Sequence, residues 1–390
     1  MFKKVIVKKS AEEKLKYFFP WVYENEILKY PKNVEAGDLV DVYSKNGKFL
    51  GRGYINPKSK ITVRILTFKK EPINREFLKK QIERAIDKRK IFKNITNAYR
   101  VIHSEADFLS GLIVDKYDAY LTVQINTAGM ERFRNDILEI LVETLSPKGI
   151  YEKSDAKARE KEGLETEEKV LYGQIPDKIE IEEYQIKFIV YLKESQKTGF
   201  YLDQRKNRKI VGSYAKGNVL DLFSNAGGFG IHAYKNGAEF VKFVDISPNA
   251  IKQLEENVKL NGIENYEIVK EDVFDFLKKE LKTGIKYDLI ILDPPAFAKT
   301  KREREGALRG FKYLILNSLK ILKENGLLAV FSCSHSITME DLKKVSLEAS
   351  KDTGFRLEIL EHLYQDLDHP YILNIPNSLY LKGFLMRKID

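Results

Sequence analysis

The 390-residue sequence has a single cysteine, Cys333, and this scarcity excludes two kinds of architecture. One thiol cannot form an internal disulfide or a cysteine-based zinc site, so we expect a reducing compartment and predict no metal. Apolar runs are also short, and none reaches the length of about eighteen residues that a membrane-spanning helix needs. The first segment, MFKKVIVKKS, has lysines where a signal peptide would be apolar. We therefore predict a cytoplasmic protein with no membrane partner.

Negative charge is sparse in the first quarter of the chain. Residues 1–93 hold 24 Lys or Arg and 11 Asp or Glu, a balance of +13. The whole sequence carries +10, so the remaining residues sum to −3. A localised cationic surface attracts polyanions by neutralising phosphates, which predicts nucleic-acid binding here. The alternative interpretation is a solvated, lysine-rich surface.

The spacing of apolar residues predicts three domains. Strand-like runs near residues 39–43, 49–54 and 61–66 form a β-rich module, in which Asn46-Gly47 indicates a hairpin turn. Apolar residues at helical spacing between 77 and 92 predict a basic helix that links this module to the next. The predicted limits are 1–70 for the β-rich domain, 71–190 for the linker helix with a small central α+β domain, and 191–390 for the last domain.

From about Val219 onward, apolar strands alternate with helices, which is typical of a doubly wound, Rossmann-like α/β sheet. Ligands of such sheets bind beyond the carboxyl ends of the strands. Acidic residues collect there: Asp221 lies in the first strand, Asp245 ends the second, Asp272 follows the third and Asp293 ends the fourth. The sequence therefore predicts an acidic edge at the ligand site.

The segment DLFSNAGGFGIHA joins the first of these strands to a helix. Its glycines permit a tight turn and a close approach of backbone to ligand, although Asn225 stands where a dinucleotide motif would begin with glycine. Asp245 ends the next strand, where a carboxylate can accept hydrogen bonds from ribose hydroxyls. No Gly-Lys-Ser or Gly-Lys-Thr follows, so a P-loop is excluded. We predict a nucleoside-containing cofactor.

After the fourth strand, Asp293-Pro294-Pro295 places a carboxylate at the strand end, followed by a stiff segment without amide donors. Such a segment can form a wall for a flat ring. The alternative is a turn that the prolines merely stiffen. The glycine loop, Asp245 and Asp293-Pro294-Pro295, in this order along one chain, form a more specific signature than any of these motifs alone.

At this point the sequence resembles the class I S-adenosylmethionine-dependent methyltransferases, and within them the 23S ribosomal RNA cytosine-C5 methyltransferases that carry an N-terminal PUA domain. The resemblance extends over nearly the whole chain, through FPWVYENEI, HSEADFLSGLIVDKY, QKTGFYLDQRKNR, VLDLFSNAGGFGIHA, VDISPNAI, DLIILDPPAFAK, SCSH and DHPYILNIPNSLYLKGF. It implies S-adenosylmethionine as methyl donor, ribosomal RNA as partner, and homodimers as a common state.

The resemblance also implies roles for individual residues. The methionine end of the donor, its ribose and its adenine would be bound along the acidic edge, and the GFYLDQR segment would fold over the cofactor. Asp293 would face the target base. The implied cofactor-binding residues are Tyr201, Asp203, Gln204, Asp221, Ser224, Asn225, Gly227, Asp245, Ile246, Asp272, Val273, Asp293 and Pro294, with Arg205 as a further candidate.

Cytosine chemistry gives the single cysteine a role. Carbon 5 is too weak a nucleophile to attack a methylsulfonium, so related enzymes first add a thiolate to carbon 6 and so make carbon 5 nucleophilic. Cys333 follows the fifth strand and is the predicted nucleophile, and Asp293 could hydrogen-bond ring nitrogen 3. The alternative for Cys333 is an inert core side chain. No second cysteine follows Asp293, so the proton-removing base is unassigned, with His335, Asp368 and His369 as candidates.

Three other functions stay open. Asp-Pro-Pro followed by an aromatic also suits methylation of an exocyclic amine, such as adenine N6 or guanine N2, which needs no cysteine. The chain could also be a non-catalytic RNA- and nucleotide-binding protein, or a dinucleotide oxidoreductase. For phosphate contacts we predict the exposed face of the basic region, namely Lys58, Lys60, Arg64, Arg84, Lys88 and Arg89.

Overall fold

The computed structural model describes residues 2–166, 168–194, 199–298 and 301–389. The chain forms two compact units. The first comprises Met1–Ile181, Tyr191–Phe200 and Leu367–Ser378, and the second comprises Glu182–Val190, Tyr201–Asp366 and Leu379–Asp390. Within the described residues, no helix combines the length and the apolar character that crossing a membrane requires.

The first unit begins with a six-stranded sheet of order β2-β6-β5-β4-β1-β3. The predicted hairpin is confirmed: the turn at Asn46-Gly47 joins β4 to β5, and Gly47 has a φ of +78°, which suits a glycine. The elements of this part are β1 (Lys3–Val7), α1 (Lys9–Lys16), β2 (Trp21–Val22), β3 (Ile27–Lys29), β4 (Asp38–Ser44), β5 (Phe49–Ile55) and β6 (Val63–Thr67).

A five-stranded sheet of order β11-β10-β9-β8-β7 follows in the same unit. Its elements are α2 (Arg75–Lys88), β7 (Ala98–His103), β8 (Leu112–Tyr117), β9 (Tyr120–Ile125), α3 (Ala128–Arg132), α4 (Arg134–Leu145), β10 (Gly149–Glu152), α5 (Ala156–Glu162) and β11 (Lys169–Gly173). The side chain of Asn74 caps α2 by accepting a hydrogen bond from the Phe77 N–H. The buried face of α2 shares one core with Tyr54 and Leu66 of the first sheet, so this helix packs against both parts.

The second unit is built on a seven-stranded sheet of order β16-β15-β14-β17-β18-β20-β19. Strands β16, β15, β14, β17 and β18 are parallel to one another, and β20 is antiparallel to both β18 and β19. The boundary between the units falls within β12 (Ile179–Glu183), which pairs with β13 (Ile186–Val190). The later elements of the second unit are α6 (Arg205–Ser213), β14 (Gly217–Leu222), α7 (Gly228–Lys235), β15 (Ala238–Asp245), α8 (Pro248–Leu260), β16 (Tyr266–Lys270), α9 (Val273–Glu280), β17 (Tyr287–Leu292), α10 (Arg304–Ile321), β18 (Leu322–Ser332), α11 (Met339–Thr353), β19 (Arg356–Tyr364) and β20 (Lys382–Ile389).

The predicted doubly wound sheet is confirmed. From β14 the chain moves outward through β15 to β16, then returns to the other side of β14 and continues through β17 to β18. The strand order therefore reverses between β14 and β17. Open α/β sheets bind ligands at this reversal, beyond the carboxyl ends of the two strands.

The two compact units divide the chain differently from the three predicted domains. Residues 182–190 belong to the second unit because amide side chains of α8 hold β13: Asn257 accepts from the Ile189 N–H at 2.7 Å, and Gln253 donates to the Ile189 carbonyl at 2.6 Å. Residues 367–378 return to the first unit. There Arg89 donates to the carbonyl of Asp368 at 2.9 Å.

Candidate active site

The loop between β14 and α7 is shaped by residues with left-handed backbone. Asn225 has a φ of +47° and Gly227 a φ of +83°. A Cβ atom on Gly227 would lie 2.3 Å from Leu254 Cδ1, and one on Gly230 would lie 2.2 Å from the Phe243 ring. Glycine is therefore required at both positions, first for the turn and then for close packing of α7 on the sheet.

Asp245, at the end of β15, is held by two loops. Its Oδ2 accepts a hydrogen bond from the Asn225 N–H at 2.9 Å, and its Oδ1 accepts from the Ser247 N–H at 2.8 Å. Next to it, Ile246 is 61% exposed, which is unusual for a large apolar side chain. A fixed carboxylate beside an exposed apolar side chain suits a ligand that combines ribose hydroxyls with a flat ring.

Two polar groups lie buried beneath the same loop. Asp221 accepts a hydrogen bond from the Gly230 N–H at 2.8 Å. Burial, helped by the nearby charges of Asp293 and Asp245 and opposed by the Gly230 hydrogen bond, raises the pKa of Asp221 to about 8. The Oγ of Ser224 is buried and has no hydrogen-bond partner among the described residues. A buried hydroxyl without a partner costs free energy, so it is suited to a ligand.

The GFYLDQR segment contributes protein contacts as well as candidate cofactor contacts. Gln204 donates from Nε2 to Asp293 Oδ1 at 2.9 Å and accepts from Asn207 Nδ2 at 2.6 Å, so it fixes the carboxylate that follows β17. Asp203 accepts from the Tyr380 hydroxyl at 2.7 Å. Both residues therefore orient other groups of the second unit.

Arg205 is buried and forms an ion pair with Asp366 at 2.8 Å. This contact explains its presence without a ligand.

A buried network that the sequence did not reveal anchors this segment. Arg208 donates both Nε and Nη2 to the two carboxylate oxygens of Glu183 at 2.6 Å, and donates Nη1 to the carbonyl of Tyr201 at 2.9 Å. His232 Nε2 lies 2.8 Å from the same carboxylate. Burial alone would raise the pKa of Glu183, but Arg208 and His232 hold it well below its usual range. The alternation of apolar and acidic residues in IEIEE did not predict that its last residue, Glu183, anchors this segment.

Asp272 and Val273 lie at the start of α9. The Oδ1 of Asp272 caps this helix by accepting from the N–H groups of Phe274 at 2.9 Å and Asp275 at 3.3 Å. Val273 is only 2% exposed, and its side chain packs in the core. A contact with adenine at Val273 would therefore use backbone atoms.

Asp293 and Cys333 follow neighbouring strands at the same edge of the sheet. Strands β17 and β18 are parallel, with Leu292 beside Val330. Asp293 comes directly after β17, and Cys333 follows Ser332, the last residue of β18. Pro294 is buried and Cys333 is half-buried. The register therefore brings the carboxylate and the thiol to the edge that also carries the glycine loop.

Among the candidate bases, only His335 belongs to the compact unit that contains Cys333. Burial, together with the charge of Lys382, lowers the pKa of His335, which favours the neutral imidazole. Asp368 and His369 are buried in the first unit. There Asp368 lies 3.0 Å from His369 Nδ1 and accepts from the Arg100 N–H at 2.9 Å.

The residues predicted to contact phosphate fall into two groups. Arg89 is 2% exposed and forms a bidentate pair with Asp107. Arg64, whose side chain is 11% exposed, contacts Glu162 at 3.0 Å and Glu105 at 3.5 Å. Both guanidinium groups are engaged by carboxylates and offer little surface to a phosphate, so Arg64 and Arg89 are removed from the predicted RNA surface. The exposed members are Lys58, Lys60, Arg84 and Lys88, of which Lys88 also contacts Asp107.

The observed groups fit S-adenosylmethionine. The unpartnered Ser224 hydroxyl and the positive-φ loop can hold its methionine end, and the fixed Asp245 carboxylate can bind its ribose. Ile246 offers an apolar surface for its adenine. The carboxylates of Asp245 and Asp293 suit the positive charge of a sulfonium, and Asp221 adds a negative charge once the pH passes about 8.

Comparison with known proteins agrees with this fit. Residues 5–68 match the profile of a PUA-like domain, and residues 205–358 match a family described as conserved hypothetical protein 95. A solved chain from Streptococcus mutans, assigned as an S-adenosylmethionine-dependent methyltransferase, has a TM-score of 0.85 and 27% identity, covering 99% of this chain and 100% of its own. A second solved chain with the same TM-score, identity and coverage is assigned as a methyltransferase and is complexed with S-adenosylhomocysteine.

The fold and these similarities define an S-adenosylmethionine-dependent methyltransferase. The ribosomal RNA large subunit methyltransferase I of Tolumonas auensis is 38% identical over 393 residues, covering 99% of this chain and 99% of the relative. The protein of that name from Alteromonas mediterranea is 37% identical over 396 residues, covering 100% of each. The chain belongs to this ribosomal RNA large subunit methyltransferase I family.

Proposed function

We propose that this protein methylates carbon 5 of a cytosine in large-subunit ribosomal RNA, with Cys333 as the nucleophile. The observation that carries the proposal is the position of the only cysteine, immediately after β18 and beside the strand that ends at Asp293. A ribosomal RNA substrate is supported by the names of the full-length relatives and by the PUA-like domain.

The proposed reaction proceeds through a covalent adduct. The Cys333 thiolate forms a bond to carbon 6, and the electrons of the 5,6 double bond move so that carbon 5 becomes nucleophilic. Carbon 5 would then form a bond to the methyl group that S-adenosylmethionine supplies, and the sulfur–methyl bond would break to leave S-adenosylhomocysteine. A base then removes the proton from carbon 5. The electron pair of the broken carbon–hydrogen bond re-forms the 5,6 double bond, and the bond between Cys333 and carbon 6 breaks to release the thiolate. Asp293, which Gln204 orients, would share a proton with ring nitrogen 3 and so stabilise the charge on the adduct.

His335 is the candidate base that we favour for the proton on carbon 5. It lies two residues from Cys333 in the same compact unit, and burial lowers its pKa, so it is neutral and able to accept a proton near pH 7. Its ring lies 6.0 Å from that of Tyr380, which limits its orientation. Asp368 and His369 lose support because their side chains are buried, at 0% and 2% exposure.

Methylation of an exocyclic amine is the competing function. That reaction would use the aromatic residue after Asp293-Pro294-Pro295. Phe297 is only partly exposed, and its ring contacts those of Phe223, Phe274 and Phe311. These contacts reduce the surface that Phe297 can offer to a base.

Trapping with a fluorinated substrate separates the two functions. In ribosomal RNA transcribed with 5-fluorocytidine, carbon 5 has no proton to lose after methylation, so the thiol adduct should persist. We expect a covalent complex with the wild-type protein and none with Cys333→Ala or Cys333→Ser, each of which should still bind S-adenosylmethionine in calorimetry. Methylated adenine or guanine produced by Cys333→Ala would refute the proposal and support amine methylation.

A further inference from the structure

A lysine lies buried at the start of β20, next to the cysteine. Strands β18 and β20 are antiparallel, and Lys382 of β20 pairs with Ser332, the residue before Cys333. The next residue, Gly383, allows this close pairing, because a Cβ atom there would lie 2.5 Å from the Val330 carbonyl oxygen. The sequence Leu381-Lys382-Gly383 therefore holds a lysine on the strand next to the end of β18.

The ammonium group of Lys382 is directed to the chain around Cys333. Its Nζ donates to the carbonyl of Ser334 at 2.6 Å and to the carbonyl of Tyr380 at 2.9 Å. Lys382 is 5% exposed, and no carboxylate within the described residues forms an ion pair with it. Beside it, the buried Ser334 hydroxyl has no hydrogen-bond partner in the described chain. Burying an ammonium whose hydrogen bonds go only to carbonyl groups costs free energy. A functional interaction with the neighbouring thiol would account for a lysine at this position.

We propose that Lys382 is a positioning residue that stabilises the thiolate form of Cys333. The ammonium supplies positive charge beside the half-buried thiolate, and its two carbonyl contacts keep it in place when the thiolate is consumed. The proposal rests on the nucleophilic role assigned to Cys333 above, and it adds the group that makes this thiol reactive near neutral pH.

The neighbouring charges set the pH range in which this effect operates. Burial lowers the pKa of Lys382 to about 8, while the charges of Cys333 and Asp341 oppose that decrease. Lys382 is therefore charged below pH 8 and loses its charge above it, so thiolate stabilisation is present in the neutral range. The other groups near this pair are His335, which is favoured in its neutral form, and Tyr380, whose hydroxyl donates to Asp203.

Alkylation of the thiol tests the proposal without RNA or cofactor. Because the chain has one cysteine, the rate of iodoacetamide incorporation reports on Cys333 alone. We expect the rate to reach half its maximum at a lower pH in the native protein than in the urea-unfolded chain. At pH 7, Lys382→Gln and Lys382→Met should react about tenfold more slowly than the wild type, the factor that corresponds to one pH unit. Lys382→Arg keeps the charge and should restore most of the rate.

Lys388 provides the matched control. It is the buried lysine near the other end of β20, and its Nζ donates to the carbonyls of Leu319 and Leu322. Lys388→Met should leave the pH profile of alkylation unchanged. The proposal is overturned if native and unfolded profiles have the same midpoint, if Lys382→Gln reacts like the wild type, or if Lys388→Met shifts the profile equally.

The alkylation result is independent of the reaction that the enzyme catalyses. If Lys382 controls the thiol but 5-fluorocytidine traps no adduct, the proposed cytosine chemistry fails while the Lys382–Cys333 coupling stands. If the adduct forms in Lys382→Gln at the wild-type rate, the positioning role fails while the cytosine chemistry stands.

Discussion

Replacing Asp221 by Asn is the most direct test of the acidic edge. The change is isosteric, and the Asn Oδ1 can still accept the hydrogen bond that Asp221 receives from the Gly230 N–H. It removes only the ability to ionise. Since the pKa of Asp221 is raised to about 8, the wild-type carboxyl is largely protonated at pH 6 and largely ionised at pH 9.

The expected magnitude follows from this titration. At pH 6 about one molecule in a hundred carries an ionised Asp221, so wild type and Asp221→Asn should bind S-adenosylmethionine with similar affinity. Above pH 8 the ionised carboxylate attracts the cationic cofactor, and the affinity ratio of wild type to variant should rise to about tenfold or more. The cofactor's own titration cancels because the ratio compares two proteins at the same pH.

Calorimetric titration of both proteins between pH 6 and pH 9 measures this ratio. A ratio that stays constant, or that falls as the pH rises, would refute the assignment of Asp221 as the ionisable partner of the cofactor. Stability gives an independent check with a defined sign. The folded state holds the Asp221 proton up to about pH 8, so the free energy of unfolding attributable to Asp221 decreases as the pH rises from 4 through 8. Asp221→Asn should lack this decrease in urea unfolding experiments without cofactor.

Two further predictions concern the RNA surface and the buried network. Neutralising the four exposed basic residues Lys58, Lys60, Arg84 and Lys88 should weaken RNA binding and reduce the slope of log affinity against log salt by about 3, with cofactor affinity unchanged. An unchanged slope would exclude this surface, and neutralising four exposed lysines of the second unit serves as the control. Arg208→Met should lower the free energy of unfolding by about 3–5 kcal/mol because it leaves the Glu183 carboxylate buried without its guanidinium. Arg387→Met, which breaks the exposed pair with Glu358, should cost less than about 1 kcal/mol in the same urea titration, and equal losses would contradict the argument.

Local patterns in the sequence were enough to predict the fold of the second unit. Apolar strands alternating with helices predict a parallel sheet, and the glycine loop after β14 predicts where the backbone can approach a ligand. The acidic residues Asp221, Asp245 and Asp293 were expected at one edge, and they influence one another there. The physical reason is that strand polarity and side-chain periodicity are local properties, and parallel pairing then brings the strand ends together.

The partners of the charged side chains depend on the tertiary structure. The composition predicted Arg64 and Arg89 as phosphate contacts, yet both guanidinium groups pair with carboxylates inside the first unit. The Arg208–Glu183–His232 network joins residues 25 and 49 positions apart, and no local pattern distinguishes them from surface charges.

The single cysteine shows the same division between sequence and tertiary structure. The sequence alone marked Cys333 as the residue after the fifth strand of the last domain and gave it a chemical role. Only the pairing of β18 with β20 brings Lys382, which lies 49 residues later in the chain, to the carbonyl of Ser334. The partner of a side chain is set by packing between distant segments, whereas the end of a strand is set by its own residues.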